Sequence, residues 1–175
     1  TGVTANATYT AKGTRSLRSY TVTYNKGSYI SSVSRSSESV SYGSNAAGST
    51  ATVMASDAQY TYGFDGWYNG STRVSTSVTY APTGITGALT LEARGTRTTK
   101  SYTISVSLDS SAAGRGSVSG GGSYNYGASA TVVCTKTNSQ DVFDGWYEGS
   151  TRVSTSLSYT FTVTGARTLV AKILY

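Results

Sequence analysis

The chain has 175 residues and a formal net charge of +6, with 37% hydrophobic and 13% charged residues, one Cys, one Met and no His. Without His and with a single Cys it cannot assemble a His-assisted nucleophile or a Cys/His zinc site. No apolar run approaches the ~20 residues of a membrane-spanning helix, so no membrane insertion is expected. Cys134 has no partner, which excludes an intrachain disulfide. A thiol-poor, hydroxyl-rich chain fits a bacterial extracellular surface or a virion. Thr1 opens the sequence and the sole Met, Met54, is internal, with no charged-then-apolar leader. That reads as a processed protein or a piece of a longer one.

In chain order, Thr8-Tyr9-Thr10-Ala11-Lys12-Gly13-Thr14-Arg15 resembles Thr90 to Arg97 further on. Residues 1–18 are therefore expected to be the closing strand of a preceding repeat plus a linker, as part of a longer multi-repeat chain. Ser19-Tyr20-Thr21-Val22 opens a first module over residues 19–98 and returns as Ser101-Tyr102-Thr103-Ile104, opening a second over 99–175. Phe64-Asp65-Gly66-Trp67-Tyr68 returns 79 residues later as Phe143-Asp144-Gly145-Trp146-Tyr147. Gly70 to Ser77 returns as Gly149 to Ser156 at the same spacing. Matches of this length in this order establish an internal duplication. In the second module Tyr102 to Leu108 alternates apolar and hydroxyl residues, as a half-buried strand does. Gly114 to Gly122 reads as a glycine-rich edge or hairpin, Ala128 to Lys136 and Asp141 to Tyr147 as strands, and Leu157 to Thr164 with Arg167 to Leu174 as a final pair. The expectation is an all-β chain of two tandem small modules, beads on a string, with about six strands each.

The second module resembles the divergent internalin B-type repeat, related to the Listeria–Bacteroides repeat. The resemblance rests on Tyr102-Thr103-Ile104, Gly116 to Gly122, Tyr126-Gly127-Ala128, Thr131-Val132, Phe143 to Trp146, Tyr159 to Val163 and Thr168 to Ala171. It covers most of the first module too, which departs in two places. About five extra residues follow Tyr42-Gly43 before Thr52-Val53, and Thr79-Tyr80-Ala81-Pro82 lacks the Phe-x-Val continuation. The resemblance implies a β-grasp-like or small β-sandwich module, strung in series on bacterial surface proteins and some phage proteins as a spacer or adhesive stalk. It implies no catalytic residues, and no cofactor is expected.

Phe64, Trp67, Phe143 and Trp146 are expected to fill the module cores. Strict alternation would send Phe and Trp to opposite faces, but the intervening glycine can act as a bulge and restore them to one. Tyr68 and Tyr147 then point outward and are the candidate surface contacts, able to stack on a sugar ring. Asp65 and Asp144 occupy equivalent positions in separate repeats, which is not how a catalytic carboxylate pair is built. Asp109-Ser110-Ser111 and Asp141 with Asp144 are thin material for calcium, and no metal ligand set is assigned. Cys134 aligns with Ala55 at the 79-residue spacing and reads as a small buried filler. The excess positive charge is spread, with no run of three basic residues, so no nucleic-acid partner is expected. The expected role is a non-enzymatic structural or adhesive repeat region, with cell-wall or host glycans or a protein receptor as partners. A carbohydrate-binding module and a virion decoration are the alternatives.

Overall fold

A computed structural model describes the chain apart from Thr1 and Val3. It divides into two compact units, residues 1–52 with 64–94, and residues 53–63 with 95–175. Both are all-β. Among the described residues no helix is long and apolar enough to cross a membrane. Gly2 and residues 4–18 carry no strand and are exposed.

The first repeat runs through β1 (Ser19–Lys26), β2 (Ile30–Val33), β3 (Ser37–Ser41), β4 (Ser49–Val53), β5 (Tyr60–Asn69), β6 (Thr72–Ser75), β7 (Thr79–Tyr80) and β8 (Leu89–Thr99). The second repeats the series as β9 (Ser101–Leu108), β10 (Gly116–Ser119), β11 (Gly122–Asn125), β12 (Ser129–Lys136), β13 (Val142–Glu148), β14 (Thr151–Ser154), β15 (Ser158–Thr162) and β16 (Arg167–Leu174). Among the described residues a single 3₁₀ turn, Ser110–Ala112, is present, capped by the Asp109 carboxylate. Each repeat thus has eight strands where about six were expected. The sequence pattern misses β6 and β14, whose Thr-Arg-Val-Ser is too short and hydroxyl-rich to read as a strand. The glycine-rich edge or hairpin expected over Gly114 to Gly122 is instead two strands, β10 and β11, that pair in different sheets.

The pairing is the same in both repeats. A five-stranded sheet runs β3-β1-β8-β5-β6 in the first and β11-β9-β16-β13-β14 in the second. A three-stranded sheet runs β2-β4-β7 and β10-β12-β15. At the centre of each larger sheet lies one parallel pair, β1 with β8 and β9 with β16. In the second repeat, Ile104, Leu169, Ala171, Ile173 and Trp146 of the larger sheet meet Ala130, Val132 and Cys134 of the smaller one in a single buried cluster. This is a small β-sandwich, its core filled by the alternate residues of two sheets.

The bulge anticipated from Phe-Asp-Gly-Trp is present. Phe143 pairs with Ile173 but Gly145 pairs with Lys172, so two steps along β13 meet one along β16. Phe143 and Trp146 consequently share a face, with ring centroids 6.2 Å apart and edge-to-face. Trp67 and Trp146 have no solvent exposure, and Phe64 and Phe143 are half-buried. Each indole N–H donates to a backbone carbonyl, Trp67 to Val78 at 3.2 Å and Trp146 to Leu157 at 3.3 Å. Those carbonyls also accept from Ala51 N and Cys134 N respectively. Ala51, not Ala55, therefore holds the place of Cys134: both are buried, whereas Ala55 is exposed beyond the end of β4. The uniform 79-residue spacing fails there because the segments before and after β4 differ in length from their counterparts.

The five extra residues expected after Gly43 reduce to one, because Gly43 matches Gly127 and Ser49, not Val53, matches Val132. Tyr24 on β1 is buried and donates from its phenol to Glu38 on β3 at 2.7 Å. The same carboxylate accepts from the backbone N–H groups of Ala47 and Gly48 at 2.9 and 3.0 Å, pinning the entry to β4, where the one extra residue lies. Burial pushes the Glu38 carboxyl up, but Ala47 N–H, the Tyr24 phenol, Gly48 N–H and the Arg35 charge outweigh it and hold it below the ordinary value. Burial, then the bond to Glu38, raises the Tyr24 phenol well above its usual range. The second repeat has Val106 and Gly122 at the corresponding places, so the pair is present in one repeat and wholly absent from the other.

Two outcomes follow. Trp146→Ala should cost the second unit about 3–5 kcal/mol in a urea titration, as large-to-small core changes do. Glu38→Ala strands a buried phenol and two N–H groups and should cost the first unit about 1–3 kcal/mol, while Gln at that position recovers part of the loss.

Candidate functional site

The residues that recur most faithfully form one constellation in each unit. In the first, Asp65 accepts from the Tyr68 phenol at 2.5 Å and from Arg73 at 3.1 Å. In the second, Asp144 accepts from Tyr147 at 2.6 Å and from Arg152 at 3.1 Å. Asp and Tyr lie three residues apart, and the bulge is what turns them toward one another. Gly66 and Gly145 make room for the arginine. A Cβ on Gly66 would lie 2.6 Å from Arg73 Cδ and from Ser75 O, and one on Gly145 would lie 2.5 Å from Ser154 O and 2.8 Å from Arg152 Cδ. Gly145 also has φ +152, a backbone geometry that L side chains rarely adopt. The aliphatic stem of the arginine crosses the strand over the glycine and its guanidinium closes on the aspartate.

A second cation lies over each tyrosine ring. Arg94 stands 4.4 Å from the Tyr68 centroid, and Lys172 stands 4.3 Å from that of Tyr147. Tyr68 and Tyr147, the expected contact residues, are therefore half-buried, tied by their hydroxyls and covered on one ring face. The hydrogen bond to the aspartate, with burial and the aspartate charge in support, raises both phenols above the ordinary tyrosine value.

The remaining candidates are absorbed into local structure. Asp109 binds Ser111 through its backbone N–H and its hydroxyl. Asp141 is buried and paired with Arg115 at 3.1 Å. Lys136 donates to the carbonyls of Ser139 and Asp141. Among the described residues no three His, Cys, Asp or Glu side chains are grouped to hold a metal ion. Cys134 is buried, and burial raises its thiol.

The feature that sequence reasoning missed lies in the first unit alone. Pro82 has no N–H to extend β7, so pairing stops after Tyr80 and the chain runs irregularly to β8. Pro82 O still accepts from Ala46 N, and Ile85 exchanges backbone bonds with Gly43 and Ser44 as Val163 does with Gly127 and Ala128 in the second unit. Behind this segment a cleft of about 420 Å3 opens, lined by Asn69, Val74, Tyr80, Pro82, Leu89 and Leu91 among others. The only sequence signal was the missing Phe-x-Val, which marks a broken strand and gives no hint of a cavity.

Residues 20–94 match the Listeria-Bacteroides repeat domain, and residues 106–172 match the divergent InlB B-repeat domain. Comparison with curated proteins and with solved structures gives no match.

A titration of tyrosinate absorbance tests the constellation. Tyr68 and Tyr147 should ionise after the exposed tyrosines, and Asp65→Asn with Asp144→Asn should bring them back to the ordinary value near 10. Because the folded phenols are raised, their contribution to stability is complete below the ordinary tyrosine value and lost as pH climbs through the raised one. The double variant should therefore lose less stability than the native chain between neutral and strongly alkaline pH.

Taken with their common strand order and shared Asp-Gly-Trp-Tyr clamp, the two matches place this chain in the Listeria–Bacteroides and divergent InlB B-repeat group, as a tandem of two such domains.

Proposed function

We propose that the chain is a non-enzymatic structural and adhesive repeat region of a bacterial surface or secreted protein, serving as a spacer that holds other domains away from the cell wall. Repeats of this group point to bacterial surface-protein repeat regions. The observation that carries the reading is where the duplicated residues are spent. Trp67 and Trp146 seal their cores, and Asp65 with Arg73 and Asp144 with Arg152 clamp their own bulges. A duplicated catalytic centre would leave its most faithfully repeated polar groups facing a substrate. Here they face their own unit.

As a spacer, the chain works by geometry. The eight-residue strands β9 and β16 of the second unit run about 26 Å at 3.3 Å per residue. Each further unit adds a closed sandwich of that scale, kept hydrated by Ser and Thr on its outer faces. Adhesion to glycans or to a protein receptor is the second part of the role.

The test places zero, one or two units between a cell-wall anchor and a reporter binding domain on a bacterial surface. Each unit should raise the reporter's reach by about 25 Å, read as capture of ligand beads through a polymer brush of graded thickness. Capture that does not change with the number of units would remove the spacer role.

A further inference from the structure

The two repeats differ most at one place. In the second, Arg167 at the start of β16 reaches Glu148 on β13, with its Nε 3.2 Å from both carboxylate oxygens and its Nη2 2.9 Å from one of them. Its guanidinium stands 4.4 Å from the Phe161 ring centroid and 5.7 Å from that of Tyr159, and it also donates to the Tyr159 hydroxyl. Together these four side chains plug the end of the sandwich, and Val153 lies half-buried below them.

In the first unit three of the same four places hold other residues. Leu89 stands where Arg167 does, since Leu89 pairs with Val22 as Arg167 pairs with Ile104. Asn69 replaces Glu148, Pro82 replaces Phe161, and Tyr80 keeps the place of Tyr159. All four line the cleft, and Val74, the counterpart of Val153, is 38% exposed. The cleft is the volume that the second unit fills with its own arginine. Its size lies in the range of about 300–1,000 Å3 typical of small-molecule sites.

We propose that this cleft binds a neutral hexopyranose unit of a glycan. None of its lining residues is Lys, Arg, Asp or Glu, so nothing there compensates an ionic ligand. Loss of the Glu148 carboxylate, replaced by Asn69, removes the group that would hold a guanidinium or ammonium. What remains suits a ring with an apolar C–H face and a rim of hydroxyls. Tyr80, Leu89 and Val74 supply the accessible apolar wall, with Pro82 buried beside them; the Asn69 amide, the Tyr80 hydroxyl and the peptide groups of residues 83–88 supply donors and acceptors. The proposal stands apart from the spacer role, so failure of either leaves the other intact. It also uses other residues than Tyr68 and Tyr147.

The test titrates the full nitrogen-15-labelled chain with methyl β-glucopyranoside, with N-acetylglucosamine and, separately, with N-acetylarginine amide. Either sugar at millimolar concentrations should move the backbone amides of Asn69, Gly84, Gly87 and Leu89, with no movement at Glu148 or Arg167. The paired change Asn69→Glu with Leu89→Arg installs the second unit's plug and should weaken sugar binding by about tenfold or more. If that pair fails to fold, Gly87→Phe serves instead, because a Cβ there meets nothing within 4 Å and its ring fills the mouth. Silence of the cleft amides toward both sugars overturns the proposal. So does undiminished binding in a folded, plugged variant, or a response to the arginine probe alone.

Discussion

Each unit depends on one extra residue in one strand. The bulge between Phe143 and Gly145 shifts the phase of β13 by one position. Without it, the two largest side chains of the motif would fall on opposite faces, and the sandwich would lose one of them from its core. The bulge also leaves a carboxylate where a ladder residue would be. Asp144 is held by Arg152 and Tyr147 within the same sheet. Glycine next to it is required twice over, by its φ and by the arginine stem that lies against its Cα. Packing, backbone and charge at this spot form one device, and the first repeat carries its clamp and its close arginine approach at Asp65, Gly66, Tyr68 and Arg73, without the positive φ of Gly145. Since Arg73 and Arg152 are half exposed, with side-chain exposure of 50% each, the salt bridges themselves contribute little. Their value is positional: they keep the bulge in a single conformation, and the bulge aims the tryptophan.

Around that shared frame the repeats have diverged in coupled sets. Tyr24 and Glu38 occur together, with the Ala47 and Gly48 N–H groups that Glu38 holds, while the other repeat has Val106 and Gly122 and a segment one residue shorter there. Arg167, Glu148 and Phe161 occur together, while the other repeat has Leu89, Asn69 and Pro82. Each set is coherent for a physical reason. A buried phenol without its carboxylate, or an arginine over an aromatic ring without its counter-charge, leaves desolvated polar groups unpaired. Members of a set therefore come and go together, even where one reaches the frame, as Tyr24 does by packing edge-to-face on Trp67 with ring centroids 5.7 Å apart.

Much of this was legible in the sequence, and the limits have particular causes. The recurrence of Phe-Asp-Gly-Trp-Tyr marked the core tryptophans, and glycine between two aromatics announced the bulge. Strands β6 and β14 escaped because an exposed four-residue edge strand carries no apolar alternation. Cys134 was matched to Ala55 because a single spacing was carried across a segment whose length differs between repeats; the hydrogen bonds to Val78 and Leu157 restore Ala51. Tyr68 and Tyr147 looked like free contact residues because the cations over their rings, Arg94 and Lys172, are distant in sequence and only strand pairing brings them together.

The cleft shows why a duplicated chain is more informative than a single one. A concavity on one small sandwich is ordinary, since packing at the open end of two twisted sheets is rarely perfect. Here the second repeat supplies the comparison: the same strands, the same tyrosine and the same valine, with the space occupied by a side chain of its own. The difference comes down to the residues at three places, and of these only Pro82 alters the frame, by ending β7 at Tyr80. Where one copy closes a space with a paired arginine and its sibling lines it with Leu and Asn beside a buried Pro, the open one has exchanged a partly exposed ion pair for accessible apolar surface. That surface gains free energy only when something covers it, and the uncharged lining confines the choice to partners that bring no charge.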